Sequence, residues 1–456
     1  MLGTLGLLAG LGLLIWLALR DVNIIFAAVL CAIVVIVTNA LPFAESLTQT
    51  FLLGDLGAFT FAGRFFLLFA AGAVFGKIMG DSHAATSVAM AMVRWLGAHR
   101  ALWITVLACA LLTYGGVVVF VVIFAMYPLG LRLCKEANIP KRLFCGGAAL
   151  GAGTFTLTAL PGTPSIHNVI PTLTLGTDLF AAPLLGLFGG ALMFALGMIY
   201  LERERVKALA AGEGFVPGPR DVIQDFAEIE KDVPHPLLAV APLALVIATI
   251  LAPRLMQMAG VGAGEGALAT LVTFAGSQPV LWPSIALVVG SLVAIALFPG
   301  VRKTPLQTMG LGTQDAVLPL MATSAVIGFG GVVAQTSGFA TFTSAVIGSG
   351  LPPHLSMFAA ASTVSGITGS SSGGLQIFMA TMAEQYLALG IEPAELHRLV
   401  AMASGGLDSL PHCGAVIAML TITQLTHKEA YKDMGVVTVI VPVVATLITT
   451  AVAMAF

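Results

Sequence analysis

Long apolar runs separated by short polar turns recur along almost the whole chain. A helix that crosses a bilayer needs about 20 apolar residues. This pattern predicts a first span over residues 2–19, a second from Val22 to Asn39 after a turn at Arg20 and Asp21, and a third from Ala58 to Met79. The first run has no basic segment ahead of it and is expected to be retained rather than cleaved as a signal. Ala84 to Leu96 is short and amphipathic and carries Arg94 and Trp95 near its end, which suits an interfacial helix. The next run, Ala101 to Leu133, is too long for one span and too short for two with a normal loop. Thr113, Tyr114, Gly115 and Gly116 sit at its middle and both ends are basic, so it predicts a re-entrant hairpin.

A helix from Leu143 to Ala159 breaks at Pro161, Gly162, Thr163 and Pro164 and resumes from Ile166 to Leu175, the pattern of a discontinuous span. Another span is expected from Pro183 to Tyr200. The segment Glu202 to Asp232 then holds thirteen of the chain's 42 charged residues (20 Lys and Arg plus 22 Asp and Glu) and reads as a solvated linker with some helix. Beyond it come spans at Pro236 to Leu251, Leu281 to Phe298 and Met309 to Ala334, and an amphipathic stretch near Phe339 to Gly348. A second overlong run, Pro353 to Leu389, is interrupted at Ser370, Ser371, Ser372, Gly373 and Gly374. A run from His397 to Thr426 is broken at Leu410, Pro411 and His412, and Met434 to Phe456 closes the chain.

The order of parts is repeated. Ala73 to Ser82 echoes Gly328 to Ser337, the Gly-Gly pairs of the two hairpins correspond, and Leu160-Pro161 matches Leu410-Pro411 at nearly the same spacing. The expected fold is an all-α polytopic membrane protein of two repeats, 1–200 and 236–456, joined by a linker at 201–235. Each repeat has about five spans, including a hairpin (101–133 and 353–390) and a broken helix (143–175 and 397–426), with scaffold helices over 1–79 in the first.

Composition agrees and narrows the class. The chain of 456 residues is 58% hydrophobic and 9% charged, with a mean hydropathy of +1.00, against about 25% charged in a soluble domain. The continuous apolar runs exclude a membrane β-barrel, whose strands alternate in polarity. A net charge of −2 offers no basic surface for nucleic acid. Cys31, Cys109, Cys134, Cys145 and Cys413 lack metal-ligand spacing and read as small buried hydrophobes, so neither metal nor cofactor is expected. All Lys and Arg except Arg64, Arg254 and Arg398 fall on one side of the predicted topology, which assigns that side and the linker to the cytoplasm. In a bacterial inner membrane both termini then face the periplasm, the two hairpins enter from opposite faces, and the repeats are inverted.

Four breaks are expected to meet near the midplane: Thr113 to Gly116, Ser370 to Gly374, Pro161 to Asn168 and Asp408 to Cys413. Irregular backbone at that depth survives only where it lines a polar cavity. Each break starts a half-helix whose amides favour an anion, and none contains Lys or Arg. A small carboxylate is therefore expected, held by amides and by Thr113, Thr163, Ser165, Ser371 and Ser372, with His167 and Asn168 reading a substrate hydroxyl. The competing reading of each hydroxyl is a bond to its own helix carbonyl. Asp408, His412 and His167 are candidates for the coupled proton, because ionisable groups inside a membrane are functional by default. Structural hydrogen bonding and helix capping are their alternatives, and a sodium site built of carbonyls leaves no side-chain signature. Asp408, Ser409 and His412 also hold the groups of a hydrolase, but adjacent Asp and Ser point apart on a helix and no nucleophile elbow is present, so no enzyme is expected.

Ser404 to Leu420, the following Leu425 to Tyr431, Ala159 to Asn168 and Gly369 to Gly374 resemble the gluconate permease family of the ion transporter superfamily, in particular its hydroxybutyrate permease-like branch. The resemblance spans nearly the whole chain. It implies a transport domain carrying both hairpins, a scaffold that dimerises, elevator-like movement, and proton-coupled uptake of sugar acids or short hydroxy acids. Gluconate permeases typically carry an acidic residue at the first hairpin tip and a His-Pro-Gly-Pro element at the first break. Here those places hold Thr113-Tyr114-Gly115 and Leu160-Pro161-Gly162-Thr163-Pro164. The departures favour a smaller acid such as 3-hydroxybutyrate, with gluconate, another organic acid or sodium coupling as alternatives. Substrate contacts are expected at Thr113, Tyr114, Gly115, Gly116, Gly162, Thr163, Ser165, His167, Asn168, Ser370, Ser371, Ser372, Gly373, Gly374, Ser409 and His412.

Overall fold

A computed structural model describes residues 2–20, 22–219, 221–223, 225–231, 233–260 and 266–455; Asp21, Arg220, Asp232 and Phe456, which belong to the predicted turn, linker and last span, lie outside them. Among the described residues every regular element is a helix. Ala58–Asp81, Pro183–Ala210, Pro236–Met258, Pro305–Ala334 and His427–Ala453 are long and apolar enough to cross a membrane, and three bent helix pairs meet the same standard as pairs. The protein is an all-helical, multi-pass membrane protein.

Helices Ala58–Asp81 and Pro305–Ala334 lie antiparallel along each other at the centre. Their approach depends on Gly312, where a Cβ would stand 2.7 Å from the Val74 backbone. Lipid offers no hydrophobic drive between helices, so small residues that admit close contact do the joining. Apolar side chains such as Leu184 and Leu306 stay exposed on the outer surface, as expected where the solvent is hydrocarbon. Ile24–Thr38 flanks Pro305–Ala334, and Leu281–Leu297 flanks Ala58–Asp81. The same exchange of halves recurs further out: Ile166–Leu175 packs on Ser371–Thr381, and Gly414–Thr423 packs on Val119–Glu136.

The first hairpin is Ala101–Tyr114 and Val119–Glu136. The second is Pro353–Thr368 and Ser371–Thr381, continued by Ala383–Ala388. The tips turn on Gly116 (φ +97°) and Gly369 (φ +58°), a region that side-chain-bearing residues avoid. Ser371 to Gly374, expected in the interruption, instead form the first turn of the second arm, because the Ser370 hydroxyl accepts from the Gly373 amide at 3.2 Å and caps that helix. The first broken helix comprises Lys141–Gly153, Phe155–Thr158 and Ile166–Leu175, with an additional kink at Thr154. The second comprises Pro393–Ser404, a tight turn at Leu407–Ser409, and Gly414–Thr423.

The span expected to end at Tyr200 continues as helix Pro183–Ala210 into the segment read as a linker with some helix. Its polar last turns are held by pairs three residues apart, Arg205 with Glu202 at 2.6 Å and Lys207 with Glu204 at 2.7 Å. Helix Ala267–Ser277 was not predicted: its 11 residues are too short for a span, and it meets Leu281–Leu297 at a 111° bend.

The linker is not a loose tether. Asp221 accepts from Lys141 Nζ at 2.7 Å, from Tyr127 Oη at 2.7 Å, from the Gly218 amide at 2.6 Å and from Gln424 Nε2 at 3.1 Å. It thereby ties the first hairpin to both broken helices. Burial pushes the Asp221 carboxyl up, but the Lys141 ammonium, the Tyr127 hydroxyl and the Gly218 amide outweigh it and hold the group below its usual range. A carboxyl depressed in this way contributes stability above the unfolded aspartate value of about 3.9 and loses it as pH falls through the lower folded value. Asp221→Asn, which leaves Lys141 buried without its counter-charge, is expected to cost about 3 kcal/mol at pH 7. Thermal unfolding of the purified protein measures this, and the gap between variant and wild type should shrink as the pH falls below about 4.

Candidate functional site

The four breaks form one connected cluster. Tyr114 Oη, at the first hairpin tip, donates to the Pro161 carbonyl at 2.9 Å. His167 Nε2, in the first break, meets Ser371 Oγ of the second hairpin at 2.7 Å. His412 donates from Nε2 to the Gly366 carbonyl at 3.1 Å, which joins the second break to the same hairpin. Ser362 Oγ donates to the Ala403 carbonyl at 2.9 Å and fixes the hairpin arm to the broken helix. The first tip also rests on the helices of the other half, since a Cβ on Gly115 would meet Leu243 and one on Gly116 would meet Leu287.

The predicted residues divide by what their polar atoms already do. Ser165 caps helix Ile166–Leu175, with Oγ accepting from the His167 amide at 3.3 Å and donating to the Leu157 carbonyl at 2.9 Å. Gly162 donates its amide to the Leu179 carbonyl at 2.9 Å. Ser370 and Ser372 face each other at 3.4 Å. A Cβ on Gly374 would stand 2.4 Å from the Ser365 backbone, so this glycine brings the two arms of the second hairpin together, and Gly373 occupies the turn that Ser370 caps. Ser409 Oγ donates to Asp408 at 3.1 Å, and the Ser409 carbonyl accepts from Tyr431 Oη at 3.0 Å. The groups of the hydrolase alternative are thus separately engaged, His412 with Gly366 and Ser409 with Asp408.

Asn168 was expected to read a substrate hydroxyl, yet its amide is committed elsewhere. Its oxygen accepts from Arg398 Nη1 at 2.7 Å and its nitrogen donates to Leu160 at 3.1 Å and Thr163 at 3.2 Å. This makes Asn168 a brace of the break. Arg398 itself was missed. It was set aside as one of three cations off the cytoplasmic side, although an arginine inside the apolar run after His397 is the signal that marks a functional membrane residue. The absence of Lys and Arg from the four segments is true of the sequence alone: the second broken helix carries Arg398 into the first break.

Arg398 is fully buried. Besides Asn168, its guanidinium donates to Ala159 at 3.1 Å, to Leu179 at 3.3 Å, and to Ala181 at 3.1 and 3.0 Å from two nitrogens. All five N–H groups are occupied. The cation satisfies carbonyls that the broken helix and the strap 176–182 leave free, and it sits where a helix ends, the favourable pole for positive charge.

Other buried polar atoms have no partner among the described residues. They include Thr113 Oγ1 at the first hairpin tip, Thr163 Oγ1 in the first break, and Ser365 Oγ and Gln376 Oε1 on the two arms of the second hairpin. Neither Ser365 nor Gln376 was singled out in the sequence, because each lies within a helical apolar run and only the fold turns it inward. Of two cavities, the smaller, about 60 Å³, is lined by Leu179, Phe180 and Trp282, and the larger, about 320 Å³, by Phe329, Thr368 and Ile377.

The sequence pattern of the GntP family permease matches residues 2–455. The chain belongs to the GntP permease family. It is 39% identical over 460 residues to an uncharacterized transporter, YxjC, of Bacillus subtilis, with 95% of each chain covered. Among solved structures it is similar to the Alcanivorax borkumensis YdaH transporter, described as having an unusual topology, at a TM-score of 0.54, 13% identity and 86% coverage of each chain. It is also similar to Neisseria gonorrhoeae MtrF, described as illuminating a class of antimetabolite efflux pumps, at a TM-score of 0.53 and 12% identity, with 91% of this chain and 83% of that one covered. At such identities the likeness shows a shared fold alone. This GntP permease is therefore a membrane transporter whose four helix breaks converge.

Arg398→Lys in this permease keeps the charge but reduces five donors to three. Carbonyls left bare in the interior cost about 1–3 kcal/mol each, so the variant is expected to lose about 2–4 kcal/mol, read as a lower unfolding temperature of the detergent-purified protein. Wild-type stability in Arg398→Lys would show that the guanidinium fork does not hold the break.

Proposed function

We propose that this permease is a secondary transporter that carries a small hydroxy-monocarboxylate, such as 3-hydroxybutyrate, together with a proton across a bacterial inner membrane. The observation that carries the reading is the set of unpartnered buried polar atoms on Thr113, Thr163, Ser365 and Gln376, which belong to three of the converging segments. Buried polar groups in native proteins are nearly always satisfied, so unpartnered groups on segments that bond to one another suit a ligand. Half-helices Ile166–Leu175, Ser371–Thr381 and Gly414–Thr423 begin beside them and bring amide dipoles that favour a carboxylate.

The size of the anion follows from the same atoms. Arg398 has no N–H to spare, so hydroxyls, one amide oxygen and helix termini are what remain for the ligand. A dicarboxylate or phosphate normally recruits a free arginine fork. Gln376 Oε1 accepts and suits a substrate hydroxyl, whereas the threonine hydroxyls can donate to the carboxylate.

The exchange of packing partners between halves supports two inverted repeats, 1–200 and 236–456, and the lysines and arginines of the short loops favour a cytoplasmic linker and periplasmic termini. In this reading the hairpins and broken helices move as one transport domain, elevator fashion, against a scaffold that includes Ala58–Asp81 and Pro305–Ala334 and pairs with that of a second copy.

Uptake into proteoliposomes tests the reading with 3-hydroxybutyrate, lactate, gluconate, citrate and acetate under imposed pH and sodium gradients. Accumulation of 3-hydroxybutyrate driven by an inward proton gradient without sodium is expected. Thr113→Val and Thr163→Val, which keep shape and remove the hydroxyl, should each raise KM about tenfold, since a hydrogen bond to a charged group is worth about 1.5–3 kcal/mol. Sodium-dependent uptake indifferent to pH, or unaltered KM in both variants, would overturn it.

A further inference from the structure

The buried cluster holds two ionisable groups of opposite sign that do not meet. Arg398 is bonded only to carbonyls and to Asn168. Asp408 is buried and accepts from Ser409 Oγ at 3.1 Å. Among the described residues no carboxylate pairs with Arg398 and no cation pairs with Asp408. A charge that moves through the membrane field does electrical work in proportion to its net value, so the sum over this cluster decides which forms can cross.

We infer that Arg398 is the fixed counter-charge of the bound carboxylate and that Asp408 carries the coupled proton, so that one proton accompanies one monocarboxylate and the crossing steps are electrically silent. This rests on the reading of the protein as a proton-coupled carboxylate transporter. With Asp408 ionised, the unloaded core sums to zero. Addition of the anion alone makes it −1, and addition of the proton alone makes it +1. Addition of both, with the proton on the Asp408 carboxylate, returns it to zero. Only the empty and the doubly loaded cores are neutral, which is the condition for tight coupling.

The neighbouring titratable groups leave Asp408 as the site for the proton. Ser165 Oγ gives its only proton to the Leu157 carbonyl at 2.9 Å, so across 3.1 Å it accepts from His167 Nδ1. His167 Nε2 is then bare and accepts from Ser371 Oγ at 2.7 Å. Both ring nitrogens of His167 are thus engaged within the protein, and Asp408, bonded by Ser409 Oγ at 3.1 Å, is left as the buried acid of the cluster. The other titratable groups nearby are committed or inert: His412 donates to Gly366, His427 donates to the Pro411 carbonyl, Tyr431 donates to the Ser409 carbonyl, and Cys413 is buried. Helix Pro353–Thr368 brings no ionisable side chain here, since His354 lies at its far end beside Glu395 at 3.1 Å. The turn Val436–Ile440 and the remainder of helix Pro393–Ser404 bring none besides Glu395, His397 and Arg398.

The test uses the full chain in proteoliposomes with labelled 3-hydroxybutyrate. A pH gradient at clamped zero potential should drive accumulation, and an inside-negative or inside-positive potential without a pH gradient should change the initial rate less than about twofold. Accumulation driven by potential alone overturns the charge balance even if counterflow proves transport. Absence of 3-hydroxybutyrate counterflow in the wild type instead overturns the substrate reading on which the inference rests. Asp408→Asn should abolish pH-driven accumulation and flatten the pH dependence of counterflow, and an Asp408→Asn variant that accumulates like the wild type would assign the proton elsewhere.

Discussion

A carbonyl freed by a broken helix inside a membrane has no water to turn to. Nearly everything distinctive in this protein follows from how that need is met. In the first broken helix the solution is Arg398, which reaches across from the other half and spends all five N–H groups on Ala159, Leu179, Ala181 and Asn168. Asn168 then bridges the same cation to Leu160 and Thr163. The break is held open in one shape, and the half-helix beyond it is aimed by the Ser165 cap.

The same constraint binds the halves together. His167 reaches Ser371, and Tyr114 reaches Pro161, so neither hairpin tip is finished by residues of its own segment. Lipid supplies no force to press these elements together, and their contacts therefore rest on hydrogen bonds and on glycines such as Gly312 and Gly374 that admit close backbones. At one edge of the cluster, the linker contributes Asp221 to Tyr127, Lys141 and Gln424. A segment that connects the halves in sequence thus also clamps them in space.

Much of this architecture was legible in the chain. Apolar runs of span length, hairpins marked by overlong runs with glycine at the middle, and helix breaks marked by proline all carry local signals, because lipid leaves backbone hydrogen bonding few options. The helix boundaries were less so. Ser371 to Gly374 read as an interruption because two serines followed by two glycines disfavour a helix, and the Ser370 cap reversed that preference. Glu202 to Lys207 read as linker with some helix, and charged pairs three residues apart sustain the helix there beyond the expected end of the span. The family was also within reach, since Ser404 to Leu420 and Ala159 to Asn168 are long and unusual strings.

What the sequence by itself determined was the class, the spans and the four places where helices break, since each is a local consequence of hydropathy and of glycine and proline chemistry. What only the tertiary structure decided was which polar groups those places contain. Arg398 is one of three ionisable residues in its helix until the fold brings it to the first break, and Ser365 and Gln376 are unremarked helix positions until the hairpin folds them inward. Asn168, conversely, ceases to be a free amide once that arginine arrives. Hydrogen-bond satisfaction is a pairwise property of groups far apart in sequence, and periodicity along the chain cannot express it.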